Sequence, residues 1–151
     1  MIDHNKNYKE ASYEEVAQYV DAILAINPDD LDGAALQNTK IFGWLNRVYI
    51  QKSRRLSELM TALDKLEFKR KRYYGGKETA ETYKKEPLTE AILKSDIESY
   101  MSVDPLIIEM RALVKEEDRI VKFLEDAKGQ LRGRGFDIKN AIDYRKMQLG
   151  M

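Results

Sequence analysis

The stretch TKIFGWLNRVYIQKSRRLSELMTALDKLEFKRKRYY, residues 39–74, decides the fold class. It contains no proline, and Gly43 is its only glycine. Its large side chains alternate at spacings of three and four residues, which is the heptad pattern of a helix that packs along one side. This first seam consists of Phe42, Leu45, Tyr49, Lys52, Leu56, Leu59, Leu63 and Leu66. We therefore predict a long helix from about residue 39 to residue 74, ended by Gly75 and Gly76.

A second heptad pattern follows the Asp-Pro pair at residues 104–105, which is typical of a capped helix start. The second seam consists of Leu106, Met110, Leu113, Glu117, Ile120, Leu124, Ala127 and Leu131. We interpret Gly133 and Gly135 as helix breakers, so the second long helix is predicted over residues 105–132. Asp137 is then predicted to cap a last, short helix.

Shorter elements are predicted before and between the long helices. Ser12 opens a capping box, so a first helix is expected to begin there and to stop before Pro28. Residues 75–91 are polar and are interpreted as a surface connection. Ser95 opens a second capping box, which predicts a short helix that reaches Met101.

The predicted class is all-α, because no stretch shows a convincing strand pattern. Two long heptad-patterned helices, at about 39–74 and 105–132, are accompanied by shorter N- and C-terminal helices. Both seams are flanked by further apolar residues, and one pair of helices cannot cover stripes of that width. We therefore expect assembly into a cyclic helical oligomer.

The composition excludes several classes of protein. The chain has no cysteine and a single histidine, His4, so thiolate metal sites and histidine-based catalysis are not expected. The glycine and lysine spacing of a phosphate-binding loop does not occur in the sequence. No apolar run approaches the ~20 residues of a membrane span. We expect a soluble, intracellular, non-enzymatic protein with no metal, no cofactor and no membrane partner.

The charges are unevenly distributed although the chain is neutral overall. Residues 1–32 carry eight acids and two bases, whereas residues 65–77 carry six bases and one acid. Residues 128–146 form a second basic segment, with six bases and two acids. Residues 1–30 are therefore interpreted as a separate acidic N-terminal helical segment, and an anionic partner would have to meet one of the two basic segments.

The most concentrated charge lies in FKRKRYYGGK, residues 68–77, at the predicted end of the first long helix. One interpretation is a solvated helix end, where cations interact favourably with the helix dipole. The other is a single-stranded nucleic-acid site, in which cations bind phosphates and aromatic rings stack on bases. The candidate residues are Lys69, Arg70, Lys71, Arg72, Tyr73, Tyr74 and Lys77. For each tyrosine, packing inside the protein remains an alternative to stacking.

Two segments resemble a known family. Residues 72–77, RYYGGK, resemble the Tyr-Tyr-[Ser/Thr/Gly]-Gly motif of the UvsY recombination mediators of T-even-like phages, and residues 132–146, RGRGFDIKNAIDYRK, resemble the C-terminal pattern of that family. Weaker similarities to the family occur at residues 44–46 and 93–104. Residues 31–151 are accordingly interpreted as a UvsY-like domain for single-stranded-DNA binding and oligomerisation.

The resemblance implies a role in phage homologous recombination, in the cytoplasm of the infected bacterial host. It implies a hexamer or heptamer that binds single-stranded DNA and helps a RecA-like phage recombinase replace the phage single-strand-binding protein. The family's DNA-binding Lys-x-Arg pair falls on Phe68 and Arg70, so the lysine is missing here. The oligomerisation segment would contain Phe136, Ile138, Ile142, Tyr144 and Leu149.

Two other functions are compatible with the residues alone. A structural coiled coil would use the basic run only as a solvated helix end, and an RNA-binding adaptor would use the same patch. If the basic run does not bind DNA, the alternative site is the second basic segment, with Lys128, Arg132, Arg134 and Lys139.

Overall fold

The computed structural model describes residues 2–151, which contain six α-helices and no β-strand. The all-α prediction is confirmed. The helices are α1 (Tyr13–Leu24), α2 (Leu31–Leu36), α3 (Asn38–Tyr74), α4 (Ala80–Lys85), α5 (Ile97–Ser102) and α6 (Pro105–Gln148). No helix within this range combines the length and apolarity needed to cross a bilayer.

The predicted start of α1 and the predicted C-terminal end of α3 are confirmed. The Ser12 hydroxyl accepts a hydrogen bond from the Glu15 amide at 3.2 Å, as an N-cap does. After the C-terminal end of α3, Gly76 has a φ of 71°, a conformation that favours glycine. The Gly76 amide donates to the Tyr73 carbonyl at 3.1 Å, and the Lys77 amide donates to the Arg72 carbonyl at 2.9 Å. These two bonds form a Schellman motif, which satisfies carbonyls at the end of α3.

The predicted break at Gly133 and Gly135 is wrong, because α6 runs without interruption to Gln148. Asp137 lies inside α6 and does not cap a separate helix. Each glycine costs a helix only about 1 kcal/mol relative to alanine. Burial of Ile138 stabilises the continuous helix, and the buried Arg134 is compensated by hydrogen bonds to the carbonyls of Leu24, Ala25 and Ala34.

Two local predictions between the long helices are also corrected. The surface connection at residues 75–91 contains α4, whose N-cap Thr79 accepts a hydrogen bond from the Thr82 amide at 3.3 Å. Ser95 does not open a capping box, because a 3₁₀ turn over Lys94–Asp96 leads directly into α5. The cap at Asp104 is confirmed, since its carboxylate accepts from the amides of Leu106 and Ile107 at 2.9 and 3.2 Å.

The chain divides into two compact units, which do not follow the predicted division at residue 30. The first unit comprises residues up to 55 together with residues 117–151. Its main core joins α1 to the first part of α3 and the middle of α6. The core residues are Tyr8, Ala11, Val16, Tyr19, Val20, Ile23, Ile41, Leu45, Val48, Ile120, Leu124 and Ala127. The acidic N-terminal segment therefore shares a core with the long helices.

A buried ion pair connects the two heptad seams in the first unit. Lys52 and Glu117 are the charged interruptions of the first and second seams, and they lie 2.9 Å apart. The fully buried ammonium of Lys52 also donates to the carbonyls of Lys9 and Ala11, at 3.0 and 2.7 Å. These bonds compensate for its desolvation and fix the N-terminal segment against α3.

The second unit comprises residues 56–116 and has a small core of its own. Ile97, Met101 and Ile107 are buried there, and Leu63 and Leu66 of α3 pack against them. This core holds α5 and the first turn of α6 beside the basic end of α3.

The continuity of α6 makes a prediction about its glycines. A Cβ at Gly133 would meet no atom within 4 Å, so Gly133→Ala should raise the free energy of unfolding by about 1 kcal/mol in urea denaturation. Gly76→Ala is the matched control, and it should lower that free energy by about 1–2 kcal/mol because of its positive φ. Destabilisation by Gly133→Ala would contradict a continuous α6.

Candidate nucleic-acid interface

The basic run at the end of α3 is divided between a buried and an exposed face. Arg70 and Tyr73 are 9% and 4% exposed, which places both inside the second unit. Lys69, Lys71 and Arg72 are exposed on the same turns. Because four consecutive residues point around the whole circumference of a helix, one basic run places side chains both in the core of the second unit and on its surface.

Arg70 is the centre of a buried cluster. Its Nε donates to Oδ2 of Asp104 at 2.7 Å, and Asp104 is fully buried. Its two terminal nitrogens donate to the two carboxylate oxygens of Glu86, at 3.0 and 2.9 Å. Paired, hydrogen-bonded charges of this kind are costly to separate, because one partner would be left buried without the other. The guanidinium is therefore committed to the protein's own structure.

The contacts within the cluster shift the pKa values of Asp104, Glu86 and Arg70 in the directions that favour their ionised forms. Burial alone would raise the pKa of Asp104, but hydrogen bonds from Tyr74 and Arg70 outweigh it and lower that pKa below the usual range. The hydrogen bond from Arg70 lowers the pKa of Glu86. The bond to Glu86 also raises the pKa of Arg70. All three groups thus remain charged at neutral pH.

Both tyrosines of the motif make contacts within the second unit. The Tyr73 hydroxyl donates to the Glu86 carbonyl at 2.9 Å, and the Arg70 guanidinium lies 4.3 Å from the Tyr73 ring centroid. The Tyr83 ring stacks on the Tyr73 ring, with the two centroids 5.5 Å apart. The Tyr74 hydroxyl donates to Oδ2 of Asp104 at 2.6 Å. These contacts favour packing over base stacking for Tyr73 and Tyr74.

The exposed face of the basic run borders a groove of about 610 Å³, which we call the basic groove. The basic groove is lined by Phe68, Lys71, Arg72, Gly75, Lys77, Ile92, Lys94, Ile97 and Glu98. Four cations and one acid contribute to this lining. Lys94 was missed in the sequence, because the candidates came from residues 68–77 and 128–146. Its position before α5 brings it to the same groove.

The four cations of the basic groove are exposed, and they differ in their contacts within the protein. Arg72 pairs with Glu78 at 3.1 Å, and Lys71 pairs with Glu98 at 3.6 Å. Exposed pairs such as Lys71–Glu98 contribute little to stability, so a phosphate can replace the carboxylate at small cost. Within residues 2–151, Lys77 forms no ion pair. Lys69 is exposed but does not line the basic groove.

The candidate oligomerisation residues do not share one environment. Ile138 is buried against Leu31 and Ala34 of α2, so it supports the first unit from within. Ile142 is partly buried beside it. In contrast, Phe136, Tyr144 and Leu149 are exposed, so these three of the five candidates are accessible to another copy of the chain.

Two of the four candidate residues of the alternative basic segment make contacts within the protein. Arg134 is buried and donates to the carbonyls of Leu24, Ala25 and Ala34, at 3.0, 3.1 and 2.8 Å. Burial lowers its pKa. Lys128 donates to Oδ1 of Asn46 at 3.1 Å and lies 4.1 Å from the Tyr49 ring centroid. Only Arg132 and Lys139 of the four alternative residues are exposed.

The lowered pKa values of Asp104 and Glu86 predict a loss of stability in acid. A carboxylate with a depressed folded-state pKa stabilises the protein above its unfolded-state pKa of about 4, and this contribution disappears as the pH falls through the folded-state value. Unfolding by urea at pH 5, 4 and 3 should therefore show a falling free energy of unfolding. The decrease should be smaller in the Asp104→Asn variant. An equal decrease would contradict the contribution of the Asp104 carboxylate to this pH dependence.

The chain is similar to known proteins in its sequence and in its fold. The family profile described as "Recombination, repair and ssDNA binding protein UvsY" matches residues 8–151. A search of curated proteins gave no match. Among solved structures, the recombination mediator protein UvsY of bacteriophage T4 is similar, with a TM-score of 0.75 and 17% identity over 90% of this chain and 96% of that chain. That structure supports the fold, and the profile covers most of the sequence. The chain belongs to the UvsY family of recombination, repair and single-stranded-DNA-binding proteins.

Proposed function

We propose that this protein is a recombination mediator that binds single-stranded DNA in the basic groove. Lys71, Arg72, Lys77 and Lys94 contact phosphates, while Arg70 holds the second unit together. The mediator helps a RecA-like phage recombinase to load on single strands in exchange for the phage single-strand-binding protein. It acts by binding and catalyses no reaction.

The observation that carries the proposal is the sorting of charge at the end of α3. The buried cation has two acidic partners, whereas the groove-lining cations outnumber the single groove acid by four to one. Contacts to phosphates give affinity without sequence preference. A loading factor needs this property, because it must act on any single strand.

Assembly would strengthen the weak contact of one groove. We propose a cyclic homo-oligomer, a hexamer or heptamer, with exposed Phe136, Tyr144 and Leu149 at its interface. Several grooves on one strand raise the apparent affinity through multivalency without any new type of contact. Light scattering at micromolar concentration gives the mass, and a monomer would contradict this part of the proposal.

The function is tested by adding the protein to single-stranded DNA that is coated with single-strand-binding protein. We expect faster assembly of recombinase filaments and tight binding to bare single strands that weakens steeply with salt. Competition with RNA of the same length distinguishes a DNA mediator from an RNA adaptor. Failure to bind single strands at low salt would favour the coiled-coil scaffold, and DNA-stimulated ATP hydrolysis by the pure protein would contradict a non-enzymatic role.

A further inference from the structure

Phe68 occupies an unusual position for a large apolar residue. Its side chain is 65% exposed, although the adjacent seam of α3 buries Leu63 and Leu66 against the second-unit core. It lies one turn before Arg72, whose guanidinium is 6.0 Å from the ring centroid. The second-unit core therefore does not account for this ring, which is presented to solvent beside cations.

The surroundings of Phe68 differ on its two sides. On one side lies a smaller groove of about 370 Å³, where Asp64, Glu67 and Glu98 outnumber Lys71 and Arg111. On the other side lies the basic groove, with its excess of cations. The excess of cations favours a polyanion in the basic groove over the smaller groove, so charge complementarity indicates which side of the ring a nucleic acid occupies.

We infer that Phe68 is the base-stacking platform of the basic groove. This inference rests on the proposed function. Phosphates bound by the groove cations would place bases next to the ring, and an aromatic face accepts every base. Among the residues that line the basic groove, Phe68 is the only aromatic one in the described chain. Tyr73 and Tyr74 are engaged elsewhere, so Phe68 takes the stacking role that the motif's tyrosines do not fill.

The inference separates two contributions to affinity. Cations contribute the salt-dependent part, and the ring contributes a part that depends on the presence of a base. A stacked base is typically worth a factor of about 5 to 150 in affinity. Removing the ring should therefore weaken binding to a normal strand while the slope of log affinity against log salt stays unchanged.

The test compares Phe68→Ala and Phe68→Leu with Phe68→Tyr, which keeps a ring. Each variant is titrated with a thymine oligonucleotide and with an abasic oligonucleotide of equal length. The expected result is a loss of about 5-fold or more on thymine for the alanine and leucine variants, none on the abasic strand, and near-normal binding by Phe68→Tyr. Circular dichroism and light scattering verify folding and mass.

The possible outcomes identify which claim fails. Equal losses on both strands, or no loss on the thymine strand, would overturn the stacking role of Phe68. Salt-dependent binding by the parent protein would still support the DNA site in that case. Full binding by Phe68→Leu, or a reduced oligomer mass, would show that the side chain acts as an apolar or interface contact and would also overturn it. A parent protein that binds neither strand would overturn both the inference and the proposed function.

Discussion

Replacing Asp104 with alanine is expected to lower the free energy of unfolding by about 3–5 kcal/mol. The substitution leaves the Arg70 guanidinium without its buried acidic partner and removes the acceptor of the Tyr74 hydroxyl. It also removes the N-cap of α6, because Asp104 accepts from the amides of the first turn. Denaturation in urea or guanidinium chloride measures the change.

Glu98→Ala is the matched control for Asp104→Ala. Glu98 is also an acid of the second unit that pairs with a cation of the basic run, but its pair with Lys71 is exposed, at 3.6 Å. Its loss should change the free energy of unfolding by less than about 1 kcal/mol. If the two variants were equally stable, the Arg70 cluster would not be the structural centre of the second unit.

The second large effect is expected for DNA binding. Changing Lys71, Arg72, Lys77 and Lys94 together to glutamine removes four candidate phosphate contacts per chain. On single strands the slope of log affinity against log salt should then decrease by about 2.8 for each fully engaged chain. The loss should be similar for every sequence tested, because phosphate contacts carry no base information. Fluorescence anisotropy at several salt concentrations provides the slope.

A charge-matched control excludes a general effect of net charge. Lys40, Lys115, Arg132 and Lys139 are exposed and do not line the basic groove. Changing these four residues to glutamine removes the same charge but should leave the slope nearly unchanged. Should the control lose as much affinity as the groove variant, binding would depend on the total charge or on the second basic segment.

Much of the fold could be predicted because helix ends carry local signals. Ser12, the Gly75–Gly76 pair and Asp104 act through their own backbone neighbourhoods, and each was placed correctly. The length of α6 could not be predicted in this way. Its heptad spacing continues from Leu131 to Arg134 and Ile138, but a charged residue and two glycines concealed the continuation. Only the acceptor carbonyls contributed by distant segments make a buried arginine acceptable there.

The same limit applies to the candidate site. Arg70 and Tyr73 extend the seam of Leu63 and Leu66 at spacings of four and three, which is a sequence signal that they face inward. Asp104, the buried partner of Arg70, lies 34 positions away along the chain, so the sequence could not show that the arginine's charge is compensated. For the same reason Lys94 could not be assigned to the groove before the chain between α3 and α5 was placed.

Site-specific photocrosslinking tests the central claim most directly. The chain has no cysteine, so a single cysteine can carry a photoreactive group at a chosen position. Lys77→Cys and Lys94→Cys place it in the basic groove, whereas Arg132→Cys and Lys139→Cys place it on the second basic segment. The account predicts crosslinks to a single-stranded oligonucleotide from positions 77 and 94. Crosslinks from positions 132 and 139 alone would contradict it.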